Sequence, residues 1–179
     1  MTDGFWNKTQ FYGRIKRIDH DIYHHGLKQN VKMENVMGFE GLYTFCTDNH
    51  GFRYRCDSEK RGKFFDYAFM GDSFTEGSSV SYEDTFVGIF ENKINKKVAN
   101  LGVVSYSPKI YLSKLNYLLN NGFVFAHVII PIDISDLYDD DVYYRINENL
   151  IVEDNYERGE RLKIRRFLRN NFPFTNFYM

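Results

Sequence analysis

An α/β fold built on a parallel sheet is what this sequence predicts, and three observations predict it. From Phe64 onward, short apolar runs alternate with segments whose apolar residues recur at helical spacing. The connections between them are short, as in parallel strands joined by right-handed crossovers. Helix-start and helix-stop residues stand at the joins: Ser107-Pro108 opens one helical segment and Gly122 closes it.

Taken in order, residues 1–62 read as an extended arm. It holds scattered apolar positions, many turn residues and one alternating pair, "LYTFCT" and "FRYRC", around Asp48-Asn49-His50-Gly51, which predicts a hairpin. Residues 63–179 read as the α/β domain. The run 64–70 is a buried strand, and residues 83–95 place Phe86, Ile89, Phe90 and Ile94 on one helical face. "KKVANLG" is a second strand ending at Gly102. Behind Ser107-Pro108, the residues Tyr111, Leu112, Leu115, Leu118 and Leu119 form the inner stripe of a helix. "AHVIIPI", 126–132, is a third strand, expected to be buried on both faces because its apolar run is continuous. "DLYDDD" reads as an acidic loop, and about 157–170 as one amphipathic helix whose apolar face holds Ile164, Phe167 and Leu168. No further strand is legible, so the third strand is left with a bare edge from which self-association is expected.

Composition narrows the function. With 179 residues, 43% hydrophobic and 18% aromatic, one domain with an ample core is expected. Basic and acidic side chains number 23 and 24, so there is no field to draw nucleic acid or an anionic bilayer. No apolar run is long enough for a membrane span and "MTDGFWNKTQ" lacks a signal pattern, so a soluble, cytoplasmic chain is the default expectation. A parent protein could still be periplasmic or membrane-associated. The turn "DNHG" would set Cys46 against Arg53 rather than Cys56, so both cysteines read as reduced thiols.

The chemistry concentrates in "FDYAFMGDSFTEGSSV", where an apolar strand runs into Gly71-Asp72-Ser73 and then a helix start. Catalytic and binding groups collect at such strand ends. Thr75 stands where a G-x-S-x-G nucleophile elbow has its second glycine, and no G-x-x-x-x-G-K-[ST] phosphate loop occurs. The other strand ends of the same edge are Asn100 to Gly102 and Asp133 to Asp136.

"GDSFTEG" resembles the Gly-Asp-Ser block of the SGNH (GDSL) hydrolases, in the form common among bacterial members. "NLGVVSYSP" looks like the second block, with Ser105 where a second glycine is often found. "VIIPIDISD" occupies the third block, with Asp133, Ser135 and Asp136 in place of its Gly, Asn and Asp. The resemblance covers about residues 64–141, and "YHHGLKQN" and "TDNHGFR" look like the leader of longer bacterial relatives. It implies a flavodoxin-like, three-layer parallel sheet and a serine ester hydrolase or acyltransferase acting on small-molecule or carbohydrate esters, without cofactor or metal. Ser73 is then the nucleophile, Gly102 an oxyanion donor and Ser135 a possible second one, with Asp72, Asn100 and Asp136 in supporting places. The family's closing D-x-x-H block is not found after the third strand. "DIYH", Asp21 to His24, matches its letters but lies in the arm, and His24 or His25 is the one alternative base. The sheet and the triad are therefore expected to be incomplete, as in the front part of a longer protein or a decayed relative. The alternative is a non-catalytic binding or scaffold module on the same fold.

Overall fold

The computed structural model describes residues 15–39, 41–56 and 60–155, so the helix expected at about 157–170 lies outside the described residues. Two short strands open it, β1 (Arg17–His20) and β2 (His24–Leu27), paired antiparallel. A meander follows, β3 (Lys32–Met37), β4 (Leu42–Thr47) and the two-residue β5 (Arg53–Tyr54). Then come β6 (Phe64–Phe69), the one-turn helix α1 (Ser73–Glu76), a 3-10 turn at Tyr82–Asp84, and α2 (Phe86–Ile94). The remainder is β7 (Val98–Asn100), α3 (Pro108–Asn120), β8 (Val124–Ile129), α4 (Ile134–Val142), β9 (Tyr144–Ile146) and β10 (Val152–Asp154).

Six strands form one sheet in the order β3-β4-β5-β7-β6-β8. β7, β6 and β8 are parallel, as expected, but β5 pairs antiparallel with β7 through Arg53 and Asn100, so the sheet is mixed. The hairpin of the arm thus extends the sheet. Successive residues of β6 serve opposite faces, as strand pleating requires. Ala68 and Met70 join a core with Phe45, Phe52, Ile110, Tyr111 and Leu118, whereas Tyr67 and Phe69 pack with Val87, Phe90 and Ile94 of α2.

Four expectations need correction. β8 is not buried on both faces: it ends the strand order, and Val124 and Val128 are 52% and 37% exposed. A continuous apolar run reports hydrophobicity, while the topology decides whether a second neighbour exists. The acidic stretch after it is a helix, not a loop. Asp133 caps it, accepting from the Ser135 and Asp136 N–H groups while Asp136 accepts from the Asp133 N–H, a reciprocal capping box. Two further strands exist, because β9 and β10 form an antiparallel hairpin whose Tyr144 and Val152 enter the core. Finally, Cys46 and Cys56 form a disulfide, with Cα atoms 5.2 Å apart. The hairpin register sets Cys46 against Tyr54, one residue off the expectation, and the chain turns away after β5 so that Cys56 comes back to its partner.

Several charges are buried. Arg53 is wholly enclosed, lying over the Phe45 ring and donating to the carbonyls of Cys46, Tyr54 and Val80. Its bond to Val80 ties the meander to the loop that follows α1.

Candidate functional site

The parallel strands bring three segments to one edge of the sheet. Backbone pairing runs past the strand ends, with Met70 N–H donating to Ile129 O, Leu101 N–H to Phe69 O and Val103 N–H to Gly71 O. The chain then turns sharply into α1. A Cβ on Gly71 would lie 2.1 Å from Thr75 Oγ1 and 2.8 Å from Thr75 Cβ, so only glycine lets the helix fold back on the strand end. Asp72 caps the turn by accepting from the Phe74 N–H at 3.0 Å. Ser73, half-buried at the first helical position, donates its hydroxyl to Asp72 Oδ2 at 3.3 Å.

The end of β7 is clamped against this turn. The buried Asn100 amide donates to Thr75 O at 2.6 Å, and its oxygen accepts the Gly102 N–H at 3.0 Å. The donor that the resemblance assigns to an oxyanion is therefore already engaged. A Cβ on Gly102 would stand 2.6 Å from Glu76 N, which makes this glycine a close-contact point between β7 and α1. Three residues on, Ser105 holds φ at +68°, a conformation that favours glycine. Ser105→Gly should accordingly raise stability by about 0.5–1 kcal/mol in urea unfolding, since the relieved strain exceeds the added freedom of the unfolded chain. A loss of stability would mean that the serine side chain holds the turn.

At the end of β8, Ser135 is also engaged: its hydroxyl and its N–H both meet Asp133 Oδ1, at 2.5 and 2.6 Å. Those bonds hold the half-buried Asp133 carboxyl below its usual range. Asp136 is buried and accepts from the Tyr111 hydroxyl at 2.9 Å and the Asp133 N–H at 3.1 Å. Burial, with added repulsion from Asp72 and Asp133, pushes the Asp136 carboxyl up. Carboxylate oxygens of Asp72, Asp133 and Asp136 lie within 4.8 Å of one another. The edge is therefore strongly acidic, a field that opposes a developing oxyanion unless a cationic group or further donors meet it. Of the sequence-predicted residues, the fold brings Asp72, Asp133 and Asp136 together and keeps Ser73 beside Asp72. Asp139, Asp140 and Asp141, further along, belong to α4.

None of the five histidines hydrogen-bonds to Ser73. His24 bridges His25 Nδ1 at 2.7 Å and Asp154 at 3.1 Å, and His25 Nε2 meets Val104 O at 3.1 Å. Burial holds His25 down to about 4, so it is neutral at pH 7. His20 stacks on Tyr23, His50 meets the carbonyls of Arg61 and Gly62, and His127 stacks on Tyr67 in mid-strand. Among the described residues the acceptor of the Ser73 hydroxyl is the Asp72 carboxylate, a weak base.

Sequence reasoning missed Glu76. It is wholly buried at the end of α1, paired with Lys16 and accepting the Val104 N–H at 2.9 Å, so it joins the arm, the Ser73 turn and the loop after β7. Its signal was visible as a second acidic residue in "GDSFTEG", four positions after Asp72. No protein-family model matches the chain, and no curated protein matches it either.

Proposed function

We propose that the chain carries the nucleophile half of an SGNH-type serine ester hydrolase or acyltransferase site, with Ser73 as nucleophile and an O-acyl carbohydrate as the substrate class that the resemblance implies. One observation carries this reading. Ser73 leaves the central one of three parallel strands ordered β7-β6-β8, and the crossover helices α2 and α3 pack on opposite faces of them, the layout in which ligands gather at the strands' carboxyl ends. The left-handed backbone of Ser105, at the place where the resemblance puts a second glycine, supports the same layout.

The site needs a base stronger than Asp72. Without one, the serine hydroxyl is a weak nucleophile near pH 7. The chain should therefore hydrolyse p-nitrophenyl acetate no faster than the Ser73→Ala variant, and added imidazole should accelerate the parent chain above that variant. Equal rates with imidazole would remove Ser73 from the mechanism. A serine-dependent rate without imidazole would overturn the incompleteness and make Asp72 or Asp136 the base. The second reading, a binding module on this fold, draws on the engagement of Gly102 and Ser135 within the protein and on the three adjacent carboxylates.

A further inference from the structure

Lys114, on α3, makes no hydrogen bond to Ser73, Gly102 or Ser135, and its amine-bearing end is enclosed. The residue is 3% exposed. Its Nζ donates to Leu101 O at 2.9 Å and to Tyr106 Oη at 3.1 Å, while the Tyr106 hydroxyl donates onward to His25 O at 2.6 Å. No carboxylate bonds it among the described residues: Glu76 is taken by Lys16 and the Val104 N–H, and Asp48 by Arg61 and by the N–H groups of His50 and Phe52.

Proton counting then fixes the form that fits. A neutral amine has two N–H bonds, and two acceptors are present. Its lone pair is left over, and the remaining neighbours of Nζ are the rings of Tyr106, Tyr23 and Phe52, with centroids 4.8, 5.6 and 5.9 Å away. An ammonium would place a third N–H there without an oxygen acceptor. Burial accordingly draws Lys114 down to about 7, although Glu76 and Asp48 act to raise it.

This amine lines a cavity of about 510 Å3 bounded by β1, β2, the β4–β5 turn and the end of α3. Tyr23, Phe52, Tyr117, Leu118 and Phe123 give it apolar walls, and Lys28 and Lys63 also border it. We propose that this cavity is a binding site for a small aldehyde or ketone with an apolar body, and that the Lys114 amine condenses with its carbonyl carbon. The nitrogen lone pair forms the C–N bond as the carbonyl π pair moves to oxygen. Both N–H hydrogens of the amine then leave with that oxygen as water, so amine and carbonyl become imine and water without oxidant or reductant. The aromatic and leucine walls favour an apolar substituent.

The test is benzaldehyde at limiting concentration, trapped by cyanoborohydride on the intact folded chain and located by peptide mass mapping. At pH 7 a lysine at its ordinary value holds on the order of a thousandfold less free amine than one titrating near 7. Lys114 should therefore label at least tenfold faster than any other lysine, with a rate that rises through a midpoint near pH 7. Of the groups facing it, His20 and His25 are shifted down by burial, Tyr23 and Tyr106 are shifted up, and Glu76 is held low, so none of these produces that midpoint. His50, Asp48, Lys28 and Lys63 also border the amine or its cavity, so Lys114→Met serves as the control. It fills the same space and should abolish the fast phase, while melting checks that it folds. Labelling spread over other lysines with Lys114 untouched in the folded parent chain, or labelling of Lys114 only after denaturation, overturns the proposal without need of the variant.

Discussion

Glu76→Gln should destabilise the protein by roughly 3–5 kcal/mol, the range found when one partner of a buried ion pair is removed. Glu76 is wholly buried and Lys16 is 7% exposed, so the substitution leaves an ammonium in the interior without its counter-charge. Burial alone pushes the Glu76 carboxyl up, but Lys16 and the Val104 N–H outweigh it and hold the group below its usual value. The sign follows from that depression. Its contribution is present above the carboxyl's unfolded value and is lost as pH falls through the lower folded one. Urea unfolding at pH 7 measures the effect, and Lys16→Met added to Glu76→Gln should recover part of it, because the stranded charge is then gone. A loss below about 1 kcal/mol would mean that solvent reaches the pair, as at an exposed ion pair.

Gly102→Val should cost about 3 kcal/mol or more, at the upper end of what overpacking produces. The added Cβ would meet Glu76 N at 2.6 Å, Thr75 Cβ at 2.7 Å and the Thr75 carbonyl carbon at 2.8 Å, and two of these atoms are backbone that no rotamer change can move. Relief requires α1 to lift off β7, which breaks the Asn100 clamp and shifts Ser73. Stability and any Ser73 reactivity should therefore fall together. The control is Gly62→Ala, where no atom lies within 4 Å of the new Cβ, and which should stay within about 0.5 kcal/mol of the parent. If Gly102→Val melts like the parent, β7 and α1 are less tightly joined than these distances state.

The elements that positioned Ser73 were legible because each carries a local signal. The run from Phe64 to Met70 and the Ser107-Pro108 start with the Gly122 stop needed no tertiary information, whereas the face of α2 was misread, since Phe86 and Ile89 are exposed and Val87, Gly88 and Glu91 are buried. What was not legible depends on partners distant in the chain. β9 and β10 are three residues each, "YRI" and "VED", too short for a period to declare itself, and they exist because Tyr144 and Val152 find the core. α4 carries Ile134, Leu137, Tyr138 and Val142 at helical spacing and a capping box, Asp133 with Asp136, signals that the run of aspartates between them obscured. The disulfide turned on a one-residue register in the hairpin. Buried Lys16, Glu76 and Lys114 escaped notice because charges are read as exposed until packing supplies a partner, in one case 60 residues away. At the site itself, sequence placed Ser73, Asn100, Gly102 and Asp136 on one edge. It could not foresee that Asn100 would occupy the Gly102 N–H or that Asp133 would occupy Ser135.

The most direct test of Ser73 as nucleophile is peptide mapping after exposure of the folded chain to a fluorophosphonate, with and without imidazole as the missing base. The account predicts a single adduct on Ser73 that forms with imidazole, is much slower without it, and is absent from Ser73→Ala. An adduct confined to other residues, or none on Ser73 in folded protein with imidazole present, would contradict it.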